Sequence, residues 1–302
     1  MRRLILAVAL VLTACRQQTN TGSLRIDPTL ASLVPDDTLF LMGADVEAIR
    51  NTSVYQKHIG IIELPRLNEF TRQTGVDPRK DLAEVLSMSN GKNGIFMARG
   101  DFNVRDLEAR LDKQGGRRFA YKGLNFFGDE RNAITFLNSK IALAGSTGAL
   151  KSIVDNRSNG RRGLPAPLAD RLRSVPAGSQ IWVAFIGGAQ GLDVTVPENS
   201  NLAAVIRLLR GIESAALGMD IRNGFDLSGD ATCKTEDNAK QLRLALKAVI
   251  GLGRLSTPDN QPDLLKVYDA IQVDQNQTKV VVTAHIPPEL ADKFVDLWLK
   301  RR

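Results

Sequence analysis

The arrangement that most constrains the fold is a pattern that occurs twice. Residues 133–155, AITFLNSKIALAGSTGALKSIVD, and residues 270–296, AIQVDQNQTKVVVTAHIPPELADKFVD, each read as a strand, a polar turn, a lysine-led strand, a loop and an amphipathic helix. A second pairing sets VPDDTLFLMG at 34–43 against VPAGSQIWVA at 175–184, each a Val-Pro turn, two small or acidic residues and an apolar run. Both pairs lie about 140 residues apart, which argues for duplication of one α+β unit. A chain of 302 residues has room for two such units, and 43% hydrophobic with 24% charged residues is a globular composition.

Alternating apolar residues bounded by turn formers predict strands at 38–43, 94–99, 117–121, 124–127, 132–137 and 140–145, and again at 180–186, 214–221, 225–233, 270–275 and 279–286. Short turns within FLNSKIAL and RNGFDL make hairpins, so the sheets should be largely antiparallel, with helices covering one face. In NVRDLEARLDKQGG, Asn103 is the candidate N-cap, Val104, Leu107 and Leu111 share a face, and Gly115 is a stop. Pro288 opens a C-terminal helix whose stripe is Leu290, Phe294, Leu297 and Trp298. NLAAVIRLLRGI at 201–212 reads as a further helix. The expected class is α+β, two similar halves over 30–156 and 169–302. The aperiodic DNRSNGRRGLPAPL at 155–168 holds the boundary, with the linker proper at 157–168. Arg157, Arg161 and Arg162 are read as a solvated linker before an anionic-membrane contact.

The N-terminus speaks to location. Arg2 and Arg3 precede an apolar run of about eleven residues, short of the roughly 20 that a spanning helix needs, so residues 1–14 read as an export signal. The tetrad Leu12-Thr13-Ala14-Cys15 resembles the lipobox of bacterial lipoproteins. That resemblance implies cleavage between Ala14 and Cys15, a diacylglyceryl group on the Cys15 thiol and a bilayer-bound N-terminus; two or more acyl chains anchor stably where one does not. Arg16 stands where some sorting systems use Asp to retain a lipoprotein in the inner membrane, which favours the periplasmic face of an outer membrane in a cell that has one. Residues 15–29 read as a flexible tether.

Loss of Arg2 and Arg3 lowers the formal charge from +7 to +5, and no clustered basic and aromatic stripe suggests nucleic acid. With Cys15 acylated, Cys233 has no partner for an intrachain disulfide. The mature region also resembles uncharacterised families of bacterial exported proteins, through Val34-Pro35-Asp36-Asp37 before an apolar strand and TGVDPRKDLAEV at 74–85. This resemblance implies a place in the envelope and no activity.

Candidate chemistry is sparse. GSTGALKS at 145–152 has the glycine loop of a phosphate cradle, but Leu150 stands where a P-loop needs Gly, and Thr147 can cap the following helix instead. His58 and His285 are the only histidines, too few for a structural zinc site, and no Gly-x-Ser-x-Gly nucleophile accompanies them. Cys233 falls on the apolar side of its strand, and the acids of Asp36-Asp37 and GDER at 128–131 fit turns better than glycosidase or calcium chemistry. Neither cofactor nor metal is expected. The reading is a non-enzymatic envelope lipoprotein with a binding or scaffolding role toward envelope proteins or lipids. The alternatives are a carrier of lipid or another hydrophobic ligand and, third, a hydrolase with an unfamiliar site.

Overall fold

The computed structural model describes residues 26–59, 65–158, 163–188, 210–258 and 260–300. The first half runs α1 (Pro28–Ser32), β1 (Phe40–Asp45), α2 (Val46–Arg50), a π-helical turn (Tyr55–Ile59), α3 (Pro65–Thr74), β2 (Leu82–Ser89), β3 (Gly94–Gly100), α4 (Val104–Lys113), β4 (Arg118–Tyr121), β5 (Leu124–Gly128), β6 (Asn132–Asn138), β7 (Ile141–Ser146) and α5 (Thr147–Ser158). The second runs α6 (Ala166–Leu172), β8 (Ile181–Ile186), β9 (Ile212–Asp220), β10 (Phe225–Cys233), α7 (Glu236–Leu255), α8 (Pro262–Asp269), β11 (Ile271–Asn276), β12 (Lys279–Ile286) and α9 (Pro288–Lys300). The class is α+β, and the eleven strands expected from alternation are present within about two residues. Strand β2 lies outside those expectations, and of the described helices they place only α4, α5 and α9 individually, so the twenty-residue α7 lies outside them too.

All twelve strands join one antiparallel sheet, in the order β11-β12-β10-β9-β8-β1-β2-β3-β7-β6-β5-β4. From the central β1–β8 pair outward, the order 1-2-3-7-6 is repeated by 8-9-10-12-11, with the β4–β5 hairpin added at one edge. Met42 lies opposite Val183, its own counterpart in the Val-Pro alignment, so an approximate two-fold axis passes through that pair. The repeats therefore share a sheet rather than forming separate barrels or sandwiches.

Alternation along the strands builds two faces. On one, Leu41, Leu86, Met97 and Leu143 pack with Leu30 of α1, Leu150 and Ile153 of α5, and Leu168 and Leu172 of α6. On the other, Ala98 and Phe136 pack with Leu107 of α4, while Val273 and Val280 pack with Ala239 and Leu242 of α7. First-half strands thus carry helices on both faces. Over β10–β12 the helices lie on one face, and Asp226, Lys279, Thr283 and His285 look outward from the other.

Local chemistry sets the element ends. The Asn103 side chain accepts from Asp106 N and caps α4, and Gly115 takes φ 80° just beyond its end, the left-handed conformation glycine adopts freely. Thr235 caps α7 in the same way. Of the expected linker, residues 157–158 belong to α5 and α6 begins at Ala166, so both ends are helical. The expected helix at 201–212 lies outside the described residues except for its end, where Ile212 opens β9. The halves are also clasped at the C-terminus: His58 places Nε2 3.1 Å from Asp292 and Nδ1 2.9 Å from Asp296, and Lys57 Nζ bonds Asp292 at 2.7 Å. The Lys57 ammonium, and after it His58, holds the Asp292 carboxyl below its usual range.

Gly43 is the tightest point of the junction. A Cβ there would lie 2.3 Å from the indole of buried Trp182, its partner across the β1–β8 ladder. Gly43→Ala is expected to destabilise the fold by ~1–3 kcal/mol through overpacking. Gly148→Ala, with open space at its Cβ, should not lower stability. Urea unfolding of both variants measures the difference.

Candidate functional site

The most unusual surface is the centre of the second face, between the strands covered by α4 and those covered by α7. Antiparallel strands that meet water normally turn polar residues outward. Here β1 presents Met42 and Ala44, β8 presents Ile181, Val183 and Phe185, and β3 presents Phe96. Met42, Phe96 and Ile181 are 43%, 44% and 38% exposed. They flank the approximate two-fold axis, whereas the opposite side of the same strands buries Leu41, Trp182 and Met97. Ser87 of β2 stands between Met42 and Phe96, and the apolar exposure around it suits contact with a ligand, partner or membrane.

Ionisable groups are engaged in structure. His285 is largely exposed and pairs through Nδ1 with Asp226, its partner across the β10–β12 ladder. His58 is engaged in the clasp with Asp292 and Asp296. Cys233 is buried at the end of β10, and burial pushes its thiol pKa up, the opposite of what a nucleophile needs. Asp129 accepts backbone N–H bonds from Asn132 and Arg131, which hold its carboxyl below the usual range, and Asp37 accepts from Asn90. Among the described residues, no group of three or more His, Cys, Asp or Glu side chains is placed to hold a metal ion.

Thr147 behaves differently from its expected capping role. It is the first residue of α5, and its buried hydroxyl donates to the Asp129 carbonyl at 2.7 Å. Asp129 and Thr147 thus stitch the strand before β6 to the helix after β7, and the glycine loop serves packing. Lys151 from α5 lies 5.4 and 5.2 Å from the ring centres of Phe119 and Tyr121, and Tyr121 donates to Asp155 at 2.9 Å, tying the added hairpin to the same helix. Cys15 and Ala14 lie outside the described residues.

A polar cleft of about 490 Å³ beside α1 is lined by Arg50, Arg99 and Lys140 together with Glu47, Asp81 and Asp101. Arg50 donates to the Leu82 and Arg79 carbonyls and Lys140 pairs with Asp101, while Arg99 Nε lies 3.3 Å from Asp27 without a hydrogen bond and Lys80 also lines the cleft. Glu84, a buried carboxylate reached from β2, accepts from Asp27 N at 3.3 and 3.2 Å. Desolvation pushes its pKa up despite that bond and Arg99. The cluster fastens Asp27, the cap of α1, to the sheet, so the last residues of the segment expected to be a flexible tether are held in place, with 28 and 29 helical.

No protein-family model matches the chain, and no functionally curated protein sequence does. Among solved structures, the chain is similar to TP0453 in its crystal form III, at 10% identity and TM-score 0.51 over 90% of this chain and 99% of that one. Crystal form I of TP0453 aligns at TM-score 0.47 and 10% identity over 91% of this chain and 99% of that one. Identity at this level establishes the shared α+β fold alone.

Glu84 yields a test with a definite sign. A carboxyl whose folded pKa is raised contributes stability below its unfolded pKa and loses it as pH rises through the folded value. Glu84→Gln keeps an oxygen for Asp27 N and removes the buried charge. It should therefore gain stability relative to wild type between the ordinary glutamate range and neutrality, and no such gain should appear in acid below that range. Urea midpoints across that pH interval decide it.

Proposed function

We propose that the chain is an envelope lipoprotein, held to a membrane by acyl groups on Cys15, whose body has a non-enzymatic binding or scaffolding role. The observation that supports binding is the apolar centre of the sheet at Met42, Phe96 and Ile181, which no described helix covers. The lipobox-like tetrad supports the anchor. No described helix is long and apolar enough to cross a membrane. The periplasmic face of an outer membrane, where the cell has one, follows from Arg16 after the cysteine. Partners on this reading are envelope proteins or lipids.

A second reading, a carrier of lipid or another hydrophobic ligand, draws on the same sheet face, because apolar side chains on a broad antiparallel surface suit acyl chains. Native mass spectrometry of membrane-purified protein separates the two: a stoichiometric bound lipid favours the carrier.

Photo-crosslinking residues at Met42 and Phe96 should capture a defined envelope component in cells, and the same residue at Thr283 on the polar face should not. Turnover of a substrate by the mature protein, with no capture, overturns the proposal. Cys15→Ser should lose the acyl mass and the membrane association that survives a high-salt wash.

A further inference from the structure

The two repeats place α4 and α7 at the same point, after the third strand of each and on the same sheet face. Their packing tasks match. Leu107 of α4 reaches Ala98 and Phe136, and Ala239 and Leu242 of α7, with Leu246 and Ile250, reach Val273 and Val280. Their outer faces do not match. α4 turns Arg105, Asp106, Arg110, Asp112 and Lys113 to water, as a surface helix should. α7 is twice as long, twenty residues against ten, and turns Leu244, Ala248, Val249, Leu252 and Leu255 to water. Leu244, Ala248, Leu252 and Leu255 follow helical spacing on the side away from the core, and Leu255 is 85% exposed. Packing of the fold does not require these leucines.

Charge completes the pattern. Residues 238–258 contain no Asp or Glu, and Lys240, Arg243, Lys247 and Arg254 all fall on one edge of the helix, between its core side and its apolar outer side. Arg254 pairs with Asp269, while Lys240 and Lys247 are exposed. After Glu236 and Asp237 in its first turn α7 carries no acid, so the edge at Lys240, Arg243 and Lys247 is cationic. An anionic phospholipid surface matches both parts, since leucines enter the acyl boundary while lysine and arginine stay at the headgroups.

We infer that the outer face of α7, centred on Leu244, Leu252 and Leu255 and edged by Lys240 and Lys247, docks in the interface of an anionic phospholipid bilayer. The helix lies in the membrane plane and adds a second, reversible attachment to the one at the N-terminus. This deepens the bilayer-anchored reading and rests on it. Lack of acylation on wild-type Cys15 would defeat that reading, whereas the α7 contact is tested on chain that carries no acyl group.

The test uses full-length Cys15→Ser protein and two kinds of vesicle, phosphatidylcholine alone and phosphatidylcholine with phosphatidylglycerol. Cosedimentation should favour the anionic vesicles and weaken as salt rises. Adding Leu244→Ser, Leu252→Ser and Leu255→Ser should cut affinity for anionic vesicles by about tenfold or more, as should adding Lys240→Glu and Lys247→Glu. The leader is common to every chain compared, so the difference reports α7. The altered side chains are exposed, so the unfolding midpoint should hold; as a second readout, Leu252→Trp fluorescence should shift to the blue on anionic vesicles. Equal binding by the leucine variant and its parent, equal binding to both vesicles, no Leu252→Trp shift, or a parental dimer that the leucine variant abolishes would overturn the inference.

Discussion

The structure depends on the antiparallel pairing of β1 with β8. Each repeat ends its sheet on one of these strands, and their pairing converts two half-sheets into a single ladder with two free edges instead of four. The approximate two-fold through Met42 and Val183 makes the contact self-complementary, with Leu41 opposite Ala184 and Gly43 opposite Trp182. The large indole meets the smallest residue, and the space left by the absent Cβ is what Trp182 occupies. Helices α1 and α6, which enter the first strand of each repeat, then seal the same face with Leu30, Leu168 and Leu172.

The approximate symmetry also explains where the apolar exposure falls. Helices α4 and α7 sit outboard of the axis, each over its own repeat, so neither covers the strands at the junction. Among the described residues no helix lies over the centre of the second face, and half-exposed Met42, Phe96 and Ile181 occupy it. Departures from symmetry mark the places where the repeats have taken different tasks. The first gained the β4–β5 hairpin, bound to α5 by Tyr121 and Lys151; the second gained a longer α7 with an apolar outer face.

Much of this was legible from local pattern. Hairpin turns such as Asn138 to Ile141, where the Asn138 side chain accepts the Lys140 and Ile141 N–H groups, are written in short range, and so are the Asn103 cap and Gly115 stop. Strand β2 escaped because its alternation is broken: Glu84 stands among Leu82, Leu86 and Met88, and only the Asp27 backbone and Arg99, distant in sequence, make its burial tolerable. The Thr147 hydroxyl was assigned to a local cap because its partner, the Asp129 carbonyl, is brought near by the β6–β7 hairpin. The exposed leucines of α7 carried no local signal, because an apolar residue at helical spacing looks the same whether it faces core or water.

By itself the sequence determined the α+β class, the antiparallel hairpins, the repeat and most element ends, since these follow from side-chain period, turn residues and caps within a few positions. The N-terminal tetrad and the scarcity of histidine and cysteine likewise shaped the functional reading without any fold. Only the tertiary structure decided that the repeats merge through β1 and β8, that His58 reaches Asp292 and Asp296, and that Met42, Phe96 and Ile181 and the leucines on the outer side of α7 stay exposed. Those outcomes depend on which elements pack together across more than a hundred residues. Burial is a property of the assembled neighbours, not of a residue's own chemistry.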